Sequence, residues 1–148
     1  KMSRILAIDY GKKRCGIAVS DPMRIVAGGL TTVSSAELPA YIKKYVQQED
    51  VGIIVIGEPK KMDGTESETM TYIRPFLNNL RKVLPDMPLA LVDERFTTKL
   101  AQRAMIDGGV KKKGRDNKNG VVDMVSATII LETFMDMERN GVKPNIVK

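Results

Sequence analysis

Residues 4–20 read R-I-L-A-I-D-Y-G-K-K-R-C-G-I-A-V-S. Arg4–Asp9 is a nearly continuous apolar run ending in an acid, the pattern of a strand buried on both faces. Gly11–Arg14 is a turn and Cys15–Ser20 a second strand, and so short a connection makes the pair an antiparallel hairpin. Outward from this hairpin, Ile25–Val33 supplies a third strand, with Gly28 and Gly29 marking a bend or bulge. Ser34 and Ser35 are placed to cap a helix over Ala36–Gln48, where Leu38, Tyr41, Ile42 and Tyr45 repeat on one face. Val51–Gly57 is the next buried strand. A polar loop through Met62, Asp63 and Gly64 leads to a helix over Glu66–Leu84, with Pro85 and Pro88 beyond it. Leu89–Val92 is a fifth strand, and Thr97–Asp107 a helix ended by Gly108 and Gly109. A last helix covers Val121–Arg139 and stops at Gly141.

The order β-β-β-α-β-α-β-α-α places the chain in the α/β class, as a mixed sheet with helices on both faces. It contains no internal repeat and no linker, so residues 1–148 read as one domain with a short tail over 141–148. Its 43% apolar and 28% charged residues are enough for a sizeable core. The Gly, Lys and Asn content of residues 108–119 predicts a mobile basic surface loop.

Composition excludes several chemistries. With no histidine, His-based triads, His zinc sites and His general bases are absent. The lone Cys15 cannot form an internal disulfide and suits a reducing cytosol. No apolar run is long enough to span a bilayer, and the first residues lack the regions of a secretory signal. Lys1 precedes Met2, which reads as the natural start. The expected location is the cytoplasm, and any catalysis falls to carboxylates, lysines, hydroxyls or a bound metal.

The formal net charge is +6, and the basic residues are unevenly spread. Lys12, Lys13 and Arg14 form one cluster, Lys60 and Lys61 a second, and Lys111, Lys112, Lys113, Arg115 and Lys118 a third. A single charge run is ordinarily a solvated loop, but three in turns between apolar segments point to a polyanion. With four tyrosines, three phenylalanines and no tryptophan, phosphate contacts would outweigh base stacking.

The acids lie where an open α/β sheet places its ligands, at the carboxyl ends of strands. Asp9 ends the first strand. Asp93, Glu94 and Arg95 end the fifth, and side-chain alternation prevents both acids from reaching one site. Asp123, in the first turn of the last helix, is in line with Ala127, Ile130 and Phe134 on the core-facing side. A first-turn acid is stabilised by the helix dipole, but that does not explain one aimed at the core. Each acid alone has a bland reading: a turn cap for Asp9, surface charge for Asp93 or Glu94. Together, beside a basic surface and without histidine, they suit Mg²⁺ or Mn²⁺ held by oxygen ligands and hydrolysis of phosphodiester bonds.

Four stretches, residues 5–21, 55–65 (V-I-G-E-P-K-K-M-D-G-T), 92–98 (V-D-E-R-F-T-T) and 122–131 (V-D-M-V-S-A-T-I-I-L), make the chain resemble the YqgF/RuvX family of Holliday junction resolvases and pre-16S rRNA nucleases. The resemblance implies a ribonuclease H-like fold, with five strands in the order 3-2-1-4-5, strand 2 antiparallel. It implies Asp9, Glu94 and Asp123 as metal-holding catalytic acids. Lys12, Lys13, Arg14, Arg95, Lys111, Lys112, Lys113 and Arg115 then become the contacts to nucleic acid. The implied substrate is a 16S rRNA precursor or branched DNA, taken by a monomer or homodimer. Glu58 stands where the family's G-x-P motif would carry an apolar residue, and is a candidate fourth ligand if its strand neighbours the first. Two other readings compete: a nucleic-acid-binding module without turnover, and an actin-like ATPase, whose phosphate loop the residues after Asp9 also resemble. The ATPase needs two such domains, and this length provides one.

Overall fold

The computed structural model describes residues 3–96 and 120–148. In chain order the elements are β1 (Arg4–Asp9), β2 (Arg14–Ser20), β3 (Ala27–Ser34), α1 (Leu38–Gln48), β4 (Val51–Glu58), α2 (Met70–Val83), β5 (Leu89–Asp93), a single 3₁₀ turn (Glu94–Phe96), α3 (Val121–Arg139) and β6 (Asn145–Ile146). They build one sheet in the order β3-β2-β1-β4-β5-β6. β1 and β2 pair antiparallel, while β4 runs parallel to both β1 and β5. The order expected for the first five strands is the one observed; the sheet has six strands, because β6 adds itself antiparallel to β5. The expected helix over Thr97–Asp107 and the loop over 108–119 lie outside the described residues.

Alternation along the strands sorts the core into two layers. Leu6, Ile8, Ile17, Ile54 and Ile56 face α1 and α2, meeting Leu38, Ile42, Ile73 and Leu80. Ile5, Ala7, Ala18, Val55, Ala90 and Val92 face α3, meeting Ala127, Ile130, Leu131 and Phe134. Strands buried on both faces read as continuous apolar runs, which is why β1 and β4 stand out in the sequence.

Element ends depart from the sequence pattern where a side chain competes for the backbone. The third strand starts at Ala27, not Ile25, because the Asp21 carboxylate accepts the Ile25 and Val26 amides at 2.7 Å each. The bulge expected near Gly28 and Gly29 is present as a register shift opposite Ile17 and Ala18. α1 begins at Leu38, because Ser34 is engaged with Glu37 (Oγ to Oε1, 2.7 Å) and the Ser35 hydroxyl donates to the Lys12 carbonyl. α2 begins at Met70, four residues later than expected, since Glu66 bridges back to Lys60 through its backbone and holds Arg74 through its side chain.

Candidate active site

Asp9 shares strand parity with Ile5 and Ala7, so it faces α3. Both of its neighbours in the sheet are glycines. Gly16 on β2 is its register partner, and Gly57 on β4 follows the Ile8–Ile56 pair. Neither glycine can be exchanged without collision. A Cβ on Gly57 would strike Glu94 Oε1 and lie 2.7 Å from Ile130 Cδ1. One on Gly16 would strike the Asp123 carbonyl and lie 2.9 Å from Asp123 Cβ. The gap over β4 is therefore filled by the Glu94 carboxylate with Ile130, and that over β2 by the backbone and Cβ of Asp123. The start of α3 is fixed there by Thr32, whose hydroxyl donates to the Gly120 carbonyl at 2.7 Å.

Burial and, after it, the crowding of like charges set the protonation of the group. Asp9 is pushed up from 3.8 to about 8 by its burial, then by the charges of Glu94 and Asp123, and by a hydrogen bond to Glu94. Glu94 is also raised, chiefly by burial. The two carboxyls thus share a proton, donated by Asp9 and accepted by Glu94. On the opposite face of the sheet the buried Cys15 thiol is pushed up to about 11 by desolvation, so it stays neutral and serves as core. Asp123 Oδ2 lies 3.4 Å from Arg14 Nε.

The donor set is all oxygen, which matches a hard divalent cation, and such a charge would favour the ionised form of Asp9 against both its burial and its neighbours. As they stand, no three Asp, Glu, Cys or His side chains among the described residues are drawn together closely enough to hold a metal ion. The fit is one of donor chemistry and crowding.

Glu58 belongs to a different group. It pairs in register with Asp93, and both have the parity of Ile54 and Ile56, which faces α1 and α2. The candidate fourth ligand is thus on the opposite face from Asp9. Its neighbour is Lys60, 3.7 Å away, which also lies 4.0 Å from Asp93 Oδ2. Asp93 accepts the Arg95 amide at 2.9 Å and its guanidinium at 2.7 Å, and this pairing holds the Asp93 carboxyl below its ordinary range. Alternation therefore separates Asp93 from Glu94, as the sequence requires, and it is Glu94 that meets Asp9.

Of the basic residues, Arg14 borders the acids, Lys12 lies 5.2 Å from the centre of the Tyr72 ring, and Lys13 is exposed. Arg95 is forked onto Asp93. Lys111, Lys112, Lys113 and Arg115 lie outside the described residues. The glycines beside Asp9 were not singled out from the sequence, although a glycine inside a buried strand is the usual sign of another group's close approach. No helix among the described residues is long and apolar enough to cross a membrane.

Residues 3–137 match the RuvX family, described as Holliday junction resolvase. The chain is 56% identical over 138 residues to a protein of Phocaeicola vulgatus named "Putative pre-16S rRNA nuclease", covering 93% of this chain and 99% of that one. A protein of the same name from Bacteroides fragilis is likewise 56% identical over 138 residues, with the same coverage of 93% and 99%. Among solved structures, Thermus thermophilus RuvC in complex with a Holliday junction substrate superposes with a TM-score of 0.61 at 12% identity, over 98% of this chain and 99% of that one. At that identity the likeness concerns the fold, which is ribonuclease H-like.

Proposed function

Because the chain belongs to the RuvX family of Holliday junction resolvases, we propose that it is a nuclease: a divalent-metal-dependent endonuclease that hydrolyses phosphodiester bonds in structured nucleic acid. The substrates that its relatives' names suggest are the 5′ end of a 16S rRNA precursor and a branched DNA junction. A single observation carries the reading. Two glycines leave space on either side of Asp9, and Glu94 and Asp123 fill it, so three acids crowd one spot at the carboxyl end of the sheet.

Asp9, Glu94 and Asp123 are the residues that would hold Mg²⁺ or Mn²⁺. When bound, a pair of such ions supplies an activated water and stabilises the leaving oxygen of an in-line displacement. The chain's own part is to give up the proton shared by Asp9 and Glu94, and to release Asp123 from Arg14. Arg14, so released, is at the edge of the site, where a phosphate would meet it. Lys12 and Lys13 extend the basic surface from the same turn, and Lys111, Lys112, Lys113 and Arg115, which precede α3 in the sequence, would add phosphate contacts. Such contacts do not distinguish RNA from DNA. A symmetric junction would need two copies of the chain, an rRNA end one.

The test is a matched panel with Mg²⁺ and with Mn²⁺: precursor rRNA with its leader, four-way DNA junctions, and plain duplexes. The expected result is cleavage of one structured class over duplex, and no cleavage by Asp9→Asn at unchanged salt-dependent binding. Binding without cleavage on every substrate would leave a binding module and overturn the enzyme.

A further inference from the structure

The turn that carries Glu94 is held from the other face of the sheet. Asp93, the last residue of β5, lies on the face away from the acid group and turns its carboxylate forward along the chain to Arg95. Oδ1 accepts the amide of Arg95 at 2.9 Å, closing a side-chain turn two residues long. Both carboxylate oxygens also accept from the Arg95 guanidinium, Nε at 3.2 and 3.1 Å and Nη2 at 2.7 Å. Lys60 Nζ adds a charge 4.0 Å from Oδ2. These contacts fix residues 94–96 as one 3₁₀ turn, and the direction in which that turn leaves β5 decides where Glu94 stands. The placement tolerates little error, since Glu94 Oε1 occupies the space that Gly57 leaves for want of a side chain. The loop after β4 is tied in as well. Arg95 Nη1 lies 3.0 Å from where a Cβ of Gly64 would be, and Lys60 bridges to Glu66.

We propose that Asp93 is a positioning residue for Glu94: by closing the turn on the Arg95 amide, it fixes the place from which Glu94 reaches Asp9. Its kinetic consequence rests on the nuclease reading above; its consequence for ion binding does not. Groups that orient metal-holding carboxylates commonly change affinity or activity by about 10–100-fold when removed, and small misplacements of reacting groups have comparable effects on rate.

The experiment compares wild type, Asp93→Ala and Asp93→Asn in two measurements: Mn²⁺ binding by calorimetry, and cleavage of the best substrate of the panel. Asp93→Ala removes the turn and should weaken Mn²⁺ binding and lower kcat, each by about 10-fold or more, with KM within about twofold. Asp93→Asn keeps the oxygen that accepts the Arg95 amide and should retain both within about threefold. Equal losses in the two variants, a loss confined to KM, or unchanged Mn²⁺ affinity in Asp93→Ala would overturn the proposal. Should Asp93→Ala fail to fold, Asp93→Gln, whose longer amide cannot close the same turn, takes its place under the same criteria. If wild type binds Mn²⁺ but cleaves nothing, the nuclease reading fails and the calorimetric comparison still decides Asp93. A wild type that binds no Mn²⁺ removes both.

Discussion

Glu58 and Asp93, register partners on β4 and β5, stand on one face of the sheet's carboxyl end; Asp9, at the end of β1, and Glu94, in the turn after β5, stand on the other. The first pair stands among cations. Lys60 reaches both, Arg95 forks onto Asp93, and Asp93 is held ionised. The second pair stands among acids, with Asp123 beside it, and settles the conflict by keeping a proton that Asp9 would give up in water. A group stabilised as it is needs nothing further. One that holds a proton against its ordinary pKa is where a charge arriving with function would act, and strained titration of this kind is a sign of a site. One residue of register separates the two conditions.

Exchanging an acid on each face tests the contrast most directly, and the largest effect is expected from Glu94→Gln. Cleavage should fall at least ~100-fold, the scale of ~2.7 kcal/mol of lost transition-state stabilisation, while affinity for nucleic acid in single-turnover assays stays level. A mild effect would mean that the crowding around Asp9 has no bearing on chemistry.

The pH dependence of the metal-free chain is the intermediate case, and here the faces should differ in sign. Asp9 is raised from 3.8 to about 8, so between those values the folded chain holds a proton that the unfolded chain has released. Its contribution is complete below about pH 4 and is lost as pH climbs through about 8. Thermal midpoints without metal should decline across that window, and Asp9→Asn should flatten the decline. Asp93, held below its ordinary value, acts the opposite way. Its contribution is present above about pH 4 and is lost as the solution is acidified through its folded pKa. Midpoints that rise from pH 5 to 8, or a slope unaltered by Asp9→Asn, would contradict the shared proton.

Glu58→Gln should do the least. Pairs like Glu58–Lys60 contribute about 0–1 kcal/mol, so cleavage is expected within about twofold of wild type and the midpoint nearly unmoved. A loss rivalling that of Glu94→Gln would return Glu58 to the list of ligands and dissolve the division between faces.

How much of this could be read beforehand depends on the range of the cause. Asp9 and Asp123 were legible because strand alternation and helix periodicity are local and fix the face of each. The choice between Asp93 and Glu94 was not, since it depends on which of them meets β1 across β4, a property of the Glu58–Asp93 register. Glu58 stays ambiguous in the sequence for the same reason: lying near β1 in the sheet does not mean lying on Asp9's side of it. The late start of α2 needed the bridge between Lys60 and Glu66, and the late start of β3 the carboxylate of Asp21. β6 is two residues long and has no pattern of its own, because its conformation comes from the strand it joins.

That small strand bears on how the protein behaves in a crowded solution. β5 has Leu89, Ala90 and Val92 buried and carries the acids of both groups at its end, so an open edge there would invite another chain to pair with it. Asn145 and Ile146 occupy that edge opposite Leu91 and Ala90, and the Val147 amide bonds the Leu89 carbonyl at 2.7 Å. At the far boundary β3 is bulged and rich in glycine and threonine, a poor template for edge-to-edge growth. At both margins, then, the described sheet offers little for edge-to-edge pairing with a second copy.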